Sequence, residues 1–199
     1  MIQIRMAGLG ALIGLSMSGA AFPAATPAAA AAGMPAALLA DPAHSQLEFA
    51  GVQAGAPFKG GFKKFTASVS LDPQALASSR IDVQIDLNSL DSQDEDRDKS
   101  LRGADFFDVA HTPSAHYVTR AITKTAKGYA ATGSLTLRGT TRAVAIEFQY
   151  APSSTGATLT GTSAVKRLDF GVGQGEWKST EWVGNEVKIQ FSLSLKPAH

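Results

Sequence analysis

The sequence predicts an all-β fold: eight antiparallel strands, closed as an up-and-down barrel or stacked as a two-sheet sandwich, with one short helix in a long connection. Three observations carry this. From Asp41 onward, apolar residues recur at every second position in eight runs, which is the period of a strand. The alternation is one-sided, whereas strands of a parallel sheet buried on both faces read as unbroken apolar runs. The punctuation between runs is short and of turn type, which makes consecutive strands antiparallel neighbours.

Residues 1–33 stand apart. Arg5 is their only charge, an apolar run extends from Met6 to Met17, and Gly19-Ala20-Ala21 opens a long Ala/Pro tract. A basic start, a short apolar stretch and small residues after it are the pattern of a secretory signal peptide. The run is too short to cross a bilayer as a helix, which takes about 20 residues. Pro23, Pro27 and Pro35 argue against a helix through the tract. Small-x-small sites suited to cleavage lie between Ala21 and Ala40. The expected organisation is a leader with an Ala/Pro-rich segment over 1–33 and one domain over 41–199. The mature protein is then periplasmic and has no integral membrane span.

The first strand lies near 44–52 and carries Leu47 and Phe49. Phe58 and Phe62 lead into Phe65, Ala67, Val69 and Leu71; the parity changes between Phe62 and Phe65, and Gly60-Gly61 just before marks a bulge or bend. In the third run Ile81, Val83 and Ile85 face the interior, and Asp82, Gln84 and Asp86 face solvent. A long connection follows, 89–113. Ser92-Gln93-Asp94-Glu95 reads as a capping box, Asp94, Glu95 and Asp96 suit the positive end of a helix dipole, Lys99 and Arg102 the negative end, and Gly103 is a good C′ residue. This predicts a helix over 93–102 and a loop over 104–113.

The fourth run, near 114–123, is ragged and holds Tyr117 and Ile122. Tyr129 to Leu137 carry the fifth, Val144, Ile146, Phe148 and Tyr150 the sixth, Ala157, Leu159 and Val165 the seventh, and Val187, Ile189, Phe191, Leu193 and Leu195 the last. Ala126-Lys127-Gly128, Arg138-Gly139-Thr140 and Ser153-Ser154-Thr155-Gly156 read as tight hairpins. The second long connection, 169–185, contains four glycines and both tryptophans. About eight strands enclose room for one ligand where some interior side chains are small.

Composition removes several classes of function. The absence of cysteine excludes disulfides, thiolate metal sites, a Cys nucleophile and thioether haem attachment. The formal net charge is +1, and 17 basic and 17 acidic residues remain once 1–33 are removed. No charge excess draws the chain to nucleic acid. There is no G-x-S-x-G elbow and no H-E-x-x-H. Gly171-Val172-Gly173-Gln174-Gly175 is not a dinucleotide loop, because the spaced third glycine falls at Glu176. His44, His111, His116 and His199 read as surface or loop histidines. Arg97-Asp98 reads as a solvated helix face, and Asp105 and Asp108 as solvated loop carboxylates. The sequence thus points to neither an enzyme nor a metal or resident cofactor. Aromatics remain: Phe106-Phe107 in one long loop, Trp177 and Trp182 in the other. They either plug one barrel end as core or rim the mouth of an apolar cavity.

Four stretches carry a resemblance. Ser100-Leu101-Arg102-Gly103-Ala104-Asp105-Phe106-Phe107-Asp108-Val109, with Pro113 after it, resembles the signature loop of the YceI-like family. Asp41-Pro42-Ala43-His44-Ser45 resembles its opening strand, and Gly133 to Arg142 its central hairpin. Arg167 to Trp177, followed by Trp182 to Val187, resembles its closing segment. One departure is Gly51–Pro57, where the family often has a basic stretch with His. The resemblance implies an eight-stranded antiparallel lipocalin-like barrel, usually periplasmic, that holds a polyisoprenoid or other long-chain amphiphilic lipid. It also raises binding of a quinone-like molecule beside a membrane electron-transfer system.

The expected lining of the cavity is Phe49, Phe62, Phe65, Phe106, Phe107, Val144, Ile146, Phe148, Phe170, Trp177 and Phe191, with the mouth near the two long connections. Arg102, Arg138, Arg142, Lys166 and Arg167 are candidates to pair with a phosphate head. An outer-membrane barrel fits poorly: fifteen aromatics are too few for two girdles, and the chain ends Lys196-Pro197-Ala198-His199. A homodimer stays open alongside the monomer.

Overall fold

The computed structural model describes residues 35–197. The leader expected at 1–33 lies outside them. The sheet comprises β1 (Leu38–Ala40), β2 (Gln46–Gln53), β3 (Ala56–Phe62), β4 (Phe65–Ser70), β5 (Arg80–Asp86), β6 (Leu90–Asp91), β7 (Ser114–Thr125), β8 (Gly128–Leu137), β9 (Thr140–Ser153), β10 (Gly156–Lys166) and β11 (Glu186–Pro197). The first six segments are three barrel strands, each interrupted once. A 3₁₀ turn at Pro42–His44 divides β1 from β2, Lys63-Lys64 divides β3 from β4, and a 3₁₀ turn at Leu87–Ser89 divides β5 from β6. All neighbours are antiparallel. β11 pairs with both β1 and β2, β1 pairs with β4, and β2 pairs with β3. The result is a closed eight-stranded up-and-down barrel, the predicted class.

The parity change after Phe62 has a structural cause. Lys63 and Lys64 step out of the ladder and donate their amides to the Ser89 carbonyl (3.1 Å) and Oγ (2.9 Å), while Asp86 N donates to Lys64 O (3.0 Å). The interruptions of two adjacent strands thus satisfy each other, and the two-residue step returns Phe65 to the inward face. The break lies at Lys63-Lys64, one step beyond the glycine pair expected to mark it. The raggedness of β7 is a register shift between Thr119 and Ala121.

Three further points differ from the sequence reading. β1 was not expected; it is a three-residue strand in an alanine-rich tract, held by pairing on both edges. The turn Ala54-Gly55 (φ 49° and 79°) makes a tight hairpin like Arg138-Gly139 (φ 50° and 70°) and was also not expected, since alanine rarely adopts a left-handed backbone. The helix α1 spans Glu95–Arg102, and its cap is Asp94, whose carboxylate accepts from Arg97 N; Gly103 ends it at φ −66° without a left-handed turn. Ser92 serves another purpose: its N and Oγ both donate to the buried Asp98 (2.9 and 2.6 Å). Asp98 therefore ties α1 to the end of β6 and is not part of a solvated face.

Strand direction divides the barrel into two ends. The turns at 126–127 and 154–155 and the loop 71–79 close one end, where Ala67, Val69, Ile81, Ala131, Ala157, Leu159 and Leu195 pack as solid core. The long connections containing α1 and residues 167–185 gather at the other.

Candidate functional site

In the half of the barrel nearest the long connections, the side chains stop short of filling the lumen. A cavity of about 190 Å³ remains. Its wall is carbon almost throughout; the polar members are Ser163, Arg167 and the Tyr117 hydroxyl. Phe49, Phe62, Phe65, Phe106, Phe107, Val144, Ile146 and Phe191 stand in this wall. Phe58, Phe49, Phe62 and Phe107 run along it as a chain of ring contacts, with centroids 6.3, 5.3 and 6.4 Å apart.

Three expected lining residues lie elsewhere. Phe148 belongs to the solid core and stacks on Tyr129 at 5.5 Å. β9 runs from the open end to the closed end, so one inward parity passes from cavity (Val144, Ile146) into packed interior (Phe148). Phe170, 2% exposed, packs with Phe106 and Val172 beneath the 167–185 connection. Trp177 lies outside the apolar wall, against Phe106 at 5.4 Å. Ile81 and Leu159 form the cavity floor, where it meets the closed-end core, and the remaining wall includes Val83, Ile85, Ala115, Leu135, Leu137, Val187 and Ile189. Their inward parity was legible. Their place at the open rather than the closed end depends on where each strand begins.

The mouth is built by tying the two long connections together. Gly173 N and Gln174 N both donate to Asp105 O at 2.8 Å. Arg138 donates to the carbonyls of Ala104 (3.0 Å) and Phe106 (3.1 Å). Arg167, 4% exposed, donates to the carbonyls of Val172, Ser179, Val183 and Gly184 at 2.8–3.1 Å. Burial lowers its pKa below the usual guanidinium value, and the four carbonyl dipoles support its charge. Arg102 donates to the carbonyls of Asn88 and Leu90. Three of the five side chains expected as phosphate partners therefore hold loop carbonyls. Arg142 and Lys166 are exposed.

A second, polar cavity of about 200 Å³ adjoins this mouth. Phe58, Leu101, Phe106 and Val183 line both cavities; Gln53, Asp94, Asp96, Arg97, Ser100 and Trp177 complete the polar one. Arg97 donates to Ser92 Oγ (2.9 Å), Ser92 O (3.0 Å) and Gln53 Oε1 (3.5 Å), and its guanidinium carbon lies 4.7 Å from the Phe58 ring centroid.

Among the described residues, titratable groups sit outside the apolar cavity, with two exceptions. Arg167 is described above. Desolvation pushes the Tyr117 hydroxyl up to about 12, so it stays neutral and donates weakly to Val144 O at 3.4 Å. His44, His111 and His116 each contact one aspartate at 2.7–2.8 Å, namely Asp41, Asp108 and Asp82. Among the described residues, no cluster of three or more His, Asp or Glu is placed to hold a metal, and no helix is long and apolar enough to cross a membrane.

Known proteins resemble this chain in sequence and in fold. A UPF0312 protein of Yersinia enterocolitica is 36% identical over 88 residues, 44% of this chain and 46% of its own length. The chain thus spans about half the length of the curated relatives it matches. The crystal structure of Burkholderia cenocepacia BcnA is 36% identical, covers 77% of this chain and 98% of its own, and superposes with a TM-score of 0.73. A polyisoprenoid-binding domain from Saccharophagus degradans, implicated in plant cell wall breakdown, shares the fold at 16% identity, with a TM-score of 0.60 and coverage of 82% and 99%. Residues 39–195 match the family model of the YceI-like domain, and the chain belongs to that family.

Proposed function

We propose that this protein is exported to the periplasm and there binds a polyisoprenoid or similar long-chain amphiphilic lipid, as a carrier or store rather than an enzyme. The observation that carries the reading is the carbon-walled cavity, open at one end of the barrel and sealed by solid core at the other. An apolar chain gains about 25 cal/mol for each Å² withdrawn from water, and a dry wall supplies that gain without specific polar contacts. The Saccharophagus domain, with the same fold, is described as polyisoprenoid-binding.

The reading is tested by native mass spectrometry and lipid extraction of protein purified from its own host. Recovery of a long-chain amphiphile is expected. Ala115→Phe places a ring in the cavity wall and is expected to retain a cooperative melt, with strain of about 1–3 kcal/mol, while losing the lipid. Wild-type protein that carries no amphiphile and binds none when offered overturns the reading.

A further inference from the structure

The polar cavity beside the mouth has no part in holding an apolar tail, yet it shares Phe58, Leu101, Phe106 and Val183 with the apolar one. A ligand whose tail fills the barrel would carry its other end past these four side chains into that cavity. We propose that the polar cavity is the head-group subsite, and that it selects a head without negative charge, such as a hydroxyl, an amide or an ammonium, over a phosphate. This rests on the lipid-binding reading above.

Three features argue for the selectivity. Asp94 and Asp96 face one guanidinium, Arg97, so the lining carries an excess of negative charge. Arg97 is largely engaged: three of its five N–H groups donate to Ser92 and Gln53, Asp94 lies 3.6 Å from Nη2, and its face lies on Phe58. Nearby Arg102, Arg138 and Arg167 are likewise engaged with backbone carbonyls. The positive end of α1 begins here and alone would favour an anion. It already carries the Asp94 cap and three further acids in its first turn. A neutral or cationic head finds acceptors in the two carboxylates and Gln53, beside the Trp177 ring.

The test uses two probes with one tail, geranylgeraniol and geranylgeranyl monophosphate, titrated into the whole mature protein. Trp177 emission reports binding once Trp182→Phe removes the exposed second indole. The alcohol is expected to bind at least about tenfold tighter than the phosphate at pH 7 and low salt, with the gap narrowing as salt screens the carboxylates. In Asp94→Asn/Asp96→Asn the gap should fall below about threefold. Asparagine caps a helix as well as aspartate, so the fold should survive; the salt series on the parent protein tests the same point without substitution. Equal or tighter binding of the phosphate, or a gap that neither salt nor the double substitution moves, overturns the proposal. If neither probe binds by native mass spectrometry, the lipid reading itself fails.

Discussion

The ring of Phe49 lies across Gly60, its register partner on the adjacent strand: a Cβ added at Gly60 would stand 2.5 Å from Phe49 Cζ. The pattern recurs at Phe191 over Gly161 and at Tyr117 over Gly133, each ring tip also 2.5 Å from the missing Cβ. All three rings belong to the cavity wall. An inward glycine on the neighbouring strand lets a large ring lie along the wall instead of across the lumen. The open half of the barrel is therefore kept open by pairs of residues, one large and one absent.

This makes Gly60 and Gly161 respond differently to the same change. At Gly60 the obstructing atoms are mainly the far end of the Phe49 side chain, which can swing inward. Gly60→Ala is expected to cost about 1 kcal/mol and to reduce lipid uptake, because the displaced ring enters the cavity. At Gly161 the added Cβ also meets the backbone carbonyl of Glu147, which cannot move without breaking the ladder. Gly161→Ala should lower stability by about 3 kcal/mol or more. Denaturant melts with lipid extraction separate the two; Gly60→Ala protein with undiminished lipid would refute the ring-displacement account.

Val83 and Gln84 are adjacent on β5 and face opposite ways: Val83 lines the cavity and Gln84 is exposed. Gln84→Glu should change stability by about 0.5 kcal/mol or less, as at ordinary surface sites. Val83→Asp puts a carboxylate on a wall without partners and should cost more than about 2 kcal/mol. Urea melts of both variants decide it, and equal costs would mean the strand faces the other way.

The period-two pattern made most of the barrel legible, because inward parity is a local property of each strand. Ile81, Val83 and Ile85 needed only their own spacing. Depth along the barrel is not local. Val144, Ile146 and Phe148 share one parity, yet the first two line the cavity and the third packs on Tyr129. That distinction depends on which loops gather at which end. β1 was invisible for a related reason: Leu38–Ala40 has almost no pattern and exists because β4 and β11 each offer it an edge. The carbonyl partners of Arg102, Arg138 and Arg167 are not legible, because sequence shows a charge but not the backbone that engages it.

If the proposed leader is removed, a cut before Leu38 keeps β1, which pairs with β4 and β11 at the closed end, although small-x-small sites continue to Ala40. Protein that begins at Asp41 leaves the β4 and β11 edges unpaired at that level, an invitation to aggregation. A recombinant chain starting at Pro35 should melt cooperatively and remain monomeric by light scattering, whereas one starting at Asp41 should melt at lower temperature. Indistinguishable melts would show that β1 is dispensable.

Asp41 sets part of the acid sensitivity of the same junction. Its carboxylate accepts from Lys196 of β11, then from His44 (2.8 Å) and Ala43 N (3.1 Å), and these contacts hold its pKa well below the usual 3.8. A depressed folded pKa means the contribution is fully present above the unfolded value and fades as pH falls below 3.8 toward the folded one. Asp41→Asn should therefore melt below wild type at pH 5, with the difference shrinking as pH drops toward 2. A difference that stays constant across that range would assign the effect to something other than this ionisation.

Arg167 is the last test, because the mouth depends on it. One side chain serves four carbonyls spread over residues 172–184, so it fixes the connection that carries Val172 and Val183 into the cavity wall. Arg167→Lys keeps a charge but offers a compact ammonium in place of the planar fork. It can reach only some of those carbonyls and leaves the rest buried without donors, at about 1–3 kcal/mol each. The expected result is a loss of at least about 2 kcal/mol in global stability, with faster amide exchange concentrated in residues 171–185. The closed end, packed around Val69, Ile81 and Leu159, should keep its protection relative to the new global stability. If exchange rises evenly over the barrel instead, Arg167 stabilises the fold as a whole and does not specifically hold the mouth.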